Sequence, residues 1–158
     1  MFLMGSLAEE IKQTKPFSSK EQEVFLNIQR TAEVLGWAMN DVLKPFELTS
    51  VQYNVLRILR GAGEEGIKCS EKSERLITKD SDITRLLDRL EKRGLVARSR
   101  DNQDRRIVNS RITDEGLEML AQIDEPGKQK IKEVLGHLGE DLLEQLNALL
   151  VLARANVK

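Results

Sequence analysis

The sequence predicts a mainly α-helical chain carrying one small β-hairpin, and three features of its 158 residues point there. Apolar residues recur at helical spacing in long stretches towards both ends. Between those stretches lies a series of shorter helical segments punctuated by glycines and polar turns. Two arginine-bearing stretches, 95–100 and 106–112, flank the polar turn Asp101-Asn102-Gln103-Asp104 and read as paired strands.

Taken in order, the first fifteen or so residues have weak periodicity and read as a frayed arm. Pro16 precedes Ser18 and Ser19, either of which suits a helix N-cap with Glu21 or Gln22 three residues on. The helix that follows runs to about Lys44, and Pro45 closes it. One apolar stripe on it is Val24, Ile28, Thr31, Leu35, Ala38 and Val42, and a second is Phe25, Ala32, Met39 and Phe46. Two stripes mean more than one buried face, which points to a partner chain as well as the helix's own domain. Thr49 or Ser50 caps a shorter helix, 51–60, which Gly61, Gly63 and Gly66 bring to an end. Ile67-Lys68-Cys69 suits a very short strand, 70–76 a small helix, and 77–80 the turn after it. Asp80 or Ser81 caps the next helix, 82–93, whose inner face is Ile83, Leu86, Leu87 and Leu90; Gly94 sits at its left-handed C-cap. After the hairpin, Thr113 caps a helix from Asp114. Pro126-Gly127 is expected to kink or interrupt it before 128–135. A break at 136–139 leads to a last helix, 140–155, striped by Leu142, Leu146, Leu149 and Ala153 and widened by Leu143 and Leu150.

Composition narrows the function. Hydrophobic residues at 40% and charged residues at 32% fit one soluble domain with a real core. Aromatics at 4% argue against the stacking platforms that hold single strands or RNA. No apolar run reaches the roughly 18 to 20 residues that cross a bilayer, so no membrane association is expected. Met1-Phe2-Leu3-Met4 is too short and lacks the basic leader of a signal peptide. One cysteine, Cys69, forms no internal disulfide and fits a reducing, cytoplasmic setting. Net charge is −1, yet Arg75 to Arg111 holds eleven Lys/Arg against six Asp/Glu, while both flanks are acidic. Such a segment suits phosphates, although charge alone fits a solvated surface equally well.

A short helix, a tight turn, a second helix and a basic hairpin together describe a winged helix-turn-helix. The second helix has the dimensions to enter a major groove. With its apolar face turned to the core, Asp82, Arg85, Asp88, Arg89 and Lys92 face outward. Arg85 and Arg89, one turn apart, suit guanine acceptors; Asp82 suits a cytosine amine, and Ser81 and Thr84 a base or phosphate. The competing reading pairs the two arginines with acidic neighbours on the same face. In the hairpin, Asp104-Arg105-Arg106 places guanidiniums at a ribbon tip shaped for a minor groove, the alternative being a surface ion pair.

The stretch Ser81-Asp82-Ile83-Thr84-Arg85-Leu86-Leu87-Asp88-Arg89-Leu90-Glu91-Lys92-Arg93-Gly94-Leu95-Val96 closely resembles the recognition helix and first wing strand of the MarR family. So does Asp104-Arg105-Arg106, followed seven residues later by Thr113-Asp114-Glu115-Gly116, and so does Leu48-Thr49-Ser50-Val51-Gln52-Tyr53-Asn54-Val55-Leu56 upstream. The resemblance spans about 20 to 155 and is densest from 48 to 116. It implies a homodimer, with helices in 18–46 and 114–158 intertwined and a winged lobe at 48–113. Two such lobes would straddle a double-stranded DNA pseudo-palindrome as a transcriptional regulator, more often a repressor. It further implies that Arg106 enters the minor groove and that Asp104 positions it. Three positions depart from the family pattern. Lys72 stands where an apolar residue is usual, Val108 where a basic one is frequent, and Ser110 where an apolar one is frequent.

Proteins similar to this one often respond to small aromatic or phenolic effectors. Trp37, Met39, Phe46 and Tyr53 are the candidate lining residues, with plain core packing as the competing reading. Relatives that sense oxidants do so through a cysteine in the first helix, and Cys69 lies elsewhere, so a structural thiol is expected. His137 and Cys69 have no clustered ligands around them, and no nucleophile–base pair or phosphate-cradling loop is visible. No metal, cofactor or catalysis is therefore expected. Two rival readings use the same fold: a winged-helix dimer that binds only protein, and a non-specific architectural DNA binder.

Overall fold

The computed structural model describes residues 5–68, 83–100 and 108–156. Within them lie two compact units, one ending at Ala38 and the other beginning at Met39.

In the first unit the arm is not uniformly frayed. A short helix α1, Leu7–Glu10, forms because Ser6 and Glu9 complete a capping box. The Ser6 hydroxyl accepts from the Glu9 amide at 3.3 Å, and the Glu9 carboxylate accepts from the Ser6 amide at 2.8 Å. Helix α2, Lys20–Leu43, begins where Ser19 caps the Gln22 amide at 3.2 Å. The same Ser19 hydroxyl and the backbone hold the Glu21 carboxyl below its usual range, the backbone being the larger influence. Along this part of α2, Val24, Phe25, Ile28, Val34 and Trp37 are all exposed. The Arg30 guanidinium lies 5.7 Å from the Trp37 ring centre.

In the second unit, Pro45 does not simply stop α2. It sits in one turn of 3-10 helix, Lys44–Phe46, after which Glu47 takes a left-handed conformation at φ 53° and reverses the chain. Helix α3, Ser50–Ala62, starts at Thr49, whose hydroxyl accepts from the Gln52 amide while the Gln52 side chain accepts from the Thr49 amide. Gln52 is thus buried with its side-chain oxygen and its backbone amide both engaged. Strand β1, Ile67–Lys68, follows the glycine-rich turn. Helix α4, Ile83–Lys92, leads into strands β2, Val96–Arg100, and β3, Val108–Ile112. The sheet order is β1-β3-β2, antiparallel throughout, with Val96 opposite Ile112, Arg98 opposite Ser110 and Ile67 opposite Ser110 on the other side.

Thr113 caps helix α5, Asp114–Leu135, as expected. Pro126 neither ends nor divides this helix, so the interruption that the sequence allowed does not occur. A proline forfeits one backbone bond, but α5 is held by packing around that point. Leu120 and Ile123 are wholly buried, and the next residue, Gly127, lies under Met39 and Tyr53. Arg60 of α3 also grips Asp124 through two hydrogen bonds of 2.8 and 3.2 Å. A 3-10 turn, Gly136–Leu138, then leads to helix α6, Gly139–Arg154, on which no residue is buried.

The core is built from Leu43 and Leu48 at the α2–α3 elbow, Leu56 and Leu59 of α3, Leu87 and Leu90 of α4, Val96 of β2, and Leu120 and Ile123 of α5. Each leucine fully withdrawn from water stabilises by about 1.5–3 kcal/mol. The middle of the chain therefore folds around the inner faces of α3, α4 and α5. Ser110 of β3 joins this interior at 1% exposure, and Val108, the other departing wing position, is half-buried.

Candidate nucleic-acid interface

Helix α4 presents two faces of opposite chemistry. Ile83, Leu86, Leu87 and Leu90 are buried, while Thr84, Arg85, Arg89 and Lys92 are exposed. A helix fixed by one side and charged on the other is suited to insertion in a groove. Its C-terminus is closed by the backbone bonds expected of a glycine cap. Gly94, at φ 72°, donates to the Glu91 carbonyl at 2.9 Å, and Leu95 donates to the Leu90 carbonyl at 3.0 Å. The buried pair Leu90 and Leu95 accompanies that turn.

Two arginines fix α4 to its surroundings. Arg93, just past its end, donates to the main-chain carbonyls of Glu47 at 2.7 Å and Phe46 at 2.8 Å, tying the helix to the α2–α3 elbow. Arg98 of β2 reaches back over the helix, where its Nε donates to Glu91 at 2.8 Å and its Nη2 pairs with both Glu91 and Asp88. The Glu91 carboxylate, with Asp88 behind it, pushes the Arg98 guanidinium above its already high ordinary range. The ion pairs of Asp88 and Glu91 thus run to the strand. Neither arginine's role was foreseen from sequence. Arg98 gives one signal only, its alternation on β2 with the buried Val96, which turns it towards the helix.

At the base of the hairpin, Thr113 joins three elements. Its hydroxyl donates to the Gly94 carbonyl at 2.6 Å and accepts from the Gly116 amide at 3.1 Å, while its own amide donates to the Leu95 carbonyl. Arg100 at the end of β2 and Arg111 on β3 are exposed. The expected contacts Ser81, Asp82, Asp104, Arg105 and Arg106 lie outside the described residues, as do Cys69 and Lys72.

The four candidate effector-lining residues divide. Met39, Phe46 and Tyr53 are half-buried and pack against the core, whereas Trp37 is 53% exposed in the first unit. Arg57 also lies 5.7 Å from the Tyr53 ring centre. His137 is exposed in its 3-10 turn. Among the described residues no cluster of three or more His, Cys, Asp or Glu side chains is placed to hold a metal ion. No described helix is long and apolar enough to cross a membrane.

Comparison with known proteins agrees with this geometry. A model of the MarR family matches residues 48–108. A MarR transcription factor from Planctomyces limnophilus, known from its crystal structure, is 39% identical. The match covers 87% of this chain and 99% of that one at a TM-score of 0.67. The transcriptional repressor IacR of Pseudomonas putida is 31% identical over 76% of this chain and 71% of its own length. A variant of MarR from E. coli, solved in complex with operator DNA, is 25% identical with a TM-score of 0.77. That match covers 94% of this chain and 99% of the other.

Proposed function

Since this chain belongs to the MarR family of DNA-binding transcriptional regulators, and so is not an enzyme, we propose that it is a repressor that binds a pseudo-palindromic operator as a homodimer. The observation that carries this reading is α4, where Arg85 and Arg89 stand exposed one turn apart on a helix whose other face is locked into the core. In this reading residues 48–113 form the winged lobe. Ser81, Asp82, Thr84, Arg85 and Arg89 meet the major groove, and Arg105 and Arg106, with Asp104 orienting Arg106, meet the minor groove.

Dimerisation falls to 18–46 and 114–158. The support is that Leu142, Leu146 and Leu149 share one face of α6 and stand in water in the single chain, as do Phe25 and Ile28 on α2. Two lobes then read half-sites whose centres are about 10 base pairs apart. A small aromatic or phenolic effector, received near Met39, Phe46 and Tyr53, would release the DNA by favouring a different lobe separation. The reducing cytoplasm is where such a chain meets its operator.

The test is fluorescence anisotropy on the duplex upstream of the protein's own coding sequence, with a scrambled duplex beside it and Arg106→Ala in parallel. Preference for the native duplex, weakened in the variant by about 1–3 kcal/mol, is the expected result. Equal affinity for both duplexes would favour an architectural binder, and no affinity for either a protein-interaction module.

A further inference from the structure

The outward face of α4 carries two carboxylates among its arginines. Asp88 and Glu91 are three residues apart, and a helix aimed at phosphates would ordinarily be penalised for them. Both are answered from outside the helix by one side chain. Arg98 occupies the middle of β2, on the strand face that begins with the buried Val96, at the point where the core opens to solvent. Its Nη2 lies 2.6 Å from Asp88 Oδ1, its Nε donates to Glu91 Oε2 at 2.8 Å, and Nη2 also pairs with Glu91. With its side chain at 24% exposure, Arg98 is the most enclosed of the three, against 43% for Asp88 and 39% for Glu91. A guanidinium held this way has its donors aimed at the helix carboxylates.

We propose that Arg98 is a positioning residue for DNA recognition, bridging Asp88 and Glu91 so that the recognition helix and the wing move as one body and the two carboxylates are neutralised beside Arg85 and Arg89. The inference rests on the DNA-binding reading above. Two consequences follow from the geometry. Strand β2 is fastened to the helix at its own midpoint, since Arg98 is the third of five β2 residues and pairs across the strands with Ser110. Losing Arg98 would free the wing and expose both acids at once, whereas removing the acids leaves nothing for Arg98 to compensate.

That asymmetry gives the test, a four-protein cycle of the parent, Arg98→Ala, Asp88→Asn/Glu91→Gln and the combination. Binding is read by anisotropy on the native upstream duplex and the scrambled control across a salt series, and thermal melting confirms that each variant is folded. Parent preference for the native duplex is established first, and its absence would count against the DNA-binding reading rather than against Arg98. The expected result is that Arg98→Ala weakens specific binding about tenfold in the parent but less than about threefold in the acid-neutralised background, a coupling of the size seen between contacting charges. Arg98→Lys, which keeps the charge but loses the fork, recovers part of the loss. An equal loss in both backgrounds, with the salt slope falling by about 0.9, would make Arg98 a direct phosphate contact and overturn the proposal. No loss in either background would overturn it as well. Should Arg98→Ala fail to fold, Arg98→Lys in the two backgrounds carries the same comparison.

Discussion

Replacing Gly116 with alanine tests the packing at the base of the wing. A Cβ built at Gly116 lies 2.5 Å from the Leu95 carbonyl oxygen and 2.6 Å from Ile112 Cγ1. Close carbon–oxygen contacts in proteins sit near 3.3 Å, so the first turn of α5 or the Leu95 carbonyl must retreat by about 0.8 Å. Ile112 can turn aside, but the Leu95 carbonyl cannot do so cheaply. It already accepts the Thr113 amide at 3.1 Å, and Thr113 caps the turn that contains Gly116. Overpacking of this kind costs about 1–3 kcal/mol, and the better helix propensity of alanine offsets up to about 1 kcal/mol of it. The net expectation is a destabilisation on the order of 1–2 kcal/mol. Gly61 supplies the control, since it lies within α3 with nothing within 4 Å of its would-be Cβ. Gly61→Ala should stabilise by about 0.5–1 kcal/mol. Urea unfolding followed by circular dichroism, at one fixed protein concentration, measures both. The same chemical change then shifts the midpoint in opposite directions, and a Gly116→Ala midpoint at or above the parent would refute the reasoning.

Two further expectations concern single polar contacts. Thr113→Ala removes both the α5 cap and the donor to the Gly94 carbonyl and should cost about 1–2 kcal/mol by urea unfolding, with Thr113→Ser recovering most of it. Asp124 is held below the ordinary carboxylate range chiefly by its hydrogen bonds from Arg60. A depressed folded value contributes stability above the unfolded pKa, near about 3.9, that is lost as pH falls through the folded value. Because both side chains are 35% exposed, solvent screens the pair, and Asp124→Asn should cost no more than about 1 kcal/mol at neutral pH. Unfolding curves of variant and parent should converge in acid, and a gap that persists below that window would point to a different role.

Much of the fold was legible because local chemistry and the final packing agree. Ile83, Leu86, Leu87 and Leu90 mark the inner face of α4 by spacing alone, and Gly94, Thr49 and Thr113 punctuate the chain where cap chemistry places them. What escaped depended on partners distant in sequence. Proline in a helix reads as a break, and only Met39 and Tyr53 against Gly127, with Arg60 on Asp124, show why α5 continues. Ser6 and Glu9 do spell a capping pattern, but no apolar repeat follows to mark a helix. At the site, the exposed Thr84, Arg85 and Arg89 follow from the helix period. The engagement of Asp88 and Glu91 by Arg98 needs the crossing of a strand over a helix, which no spacing encodes.

The Arg93 contact has an evolutionary consequence. It grips the elbow through the carbonyls of Phe46 and Glu47, atoms that every amino acid supplies. Phe46 also packs against the core, but the exposed Glu47 can change its side chain while helix α4 keeps its mooring. Position 47 answers only to the handedness of its backbone, for which Gly or Asn would serve as well as Glu. The elbow can therefore change at position 47 without dragging helix α4 along, provided that residue 93 remains a forked donor.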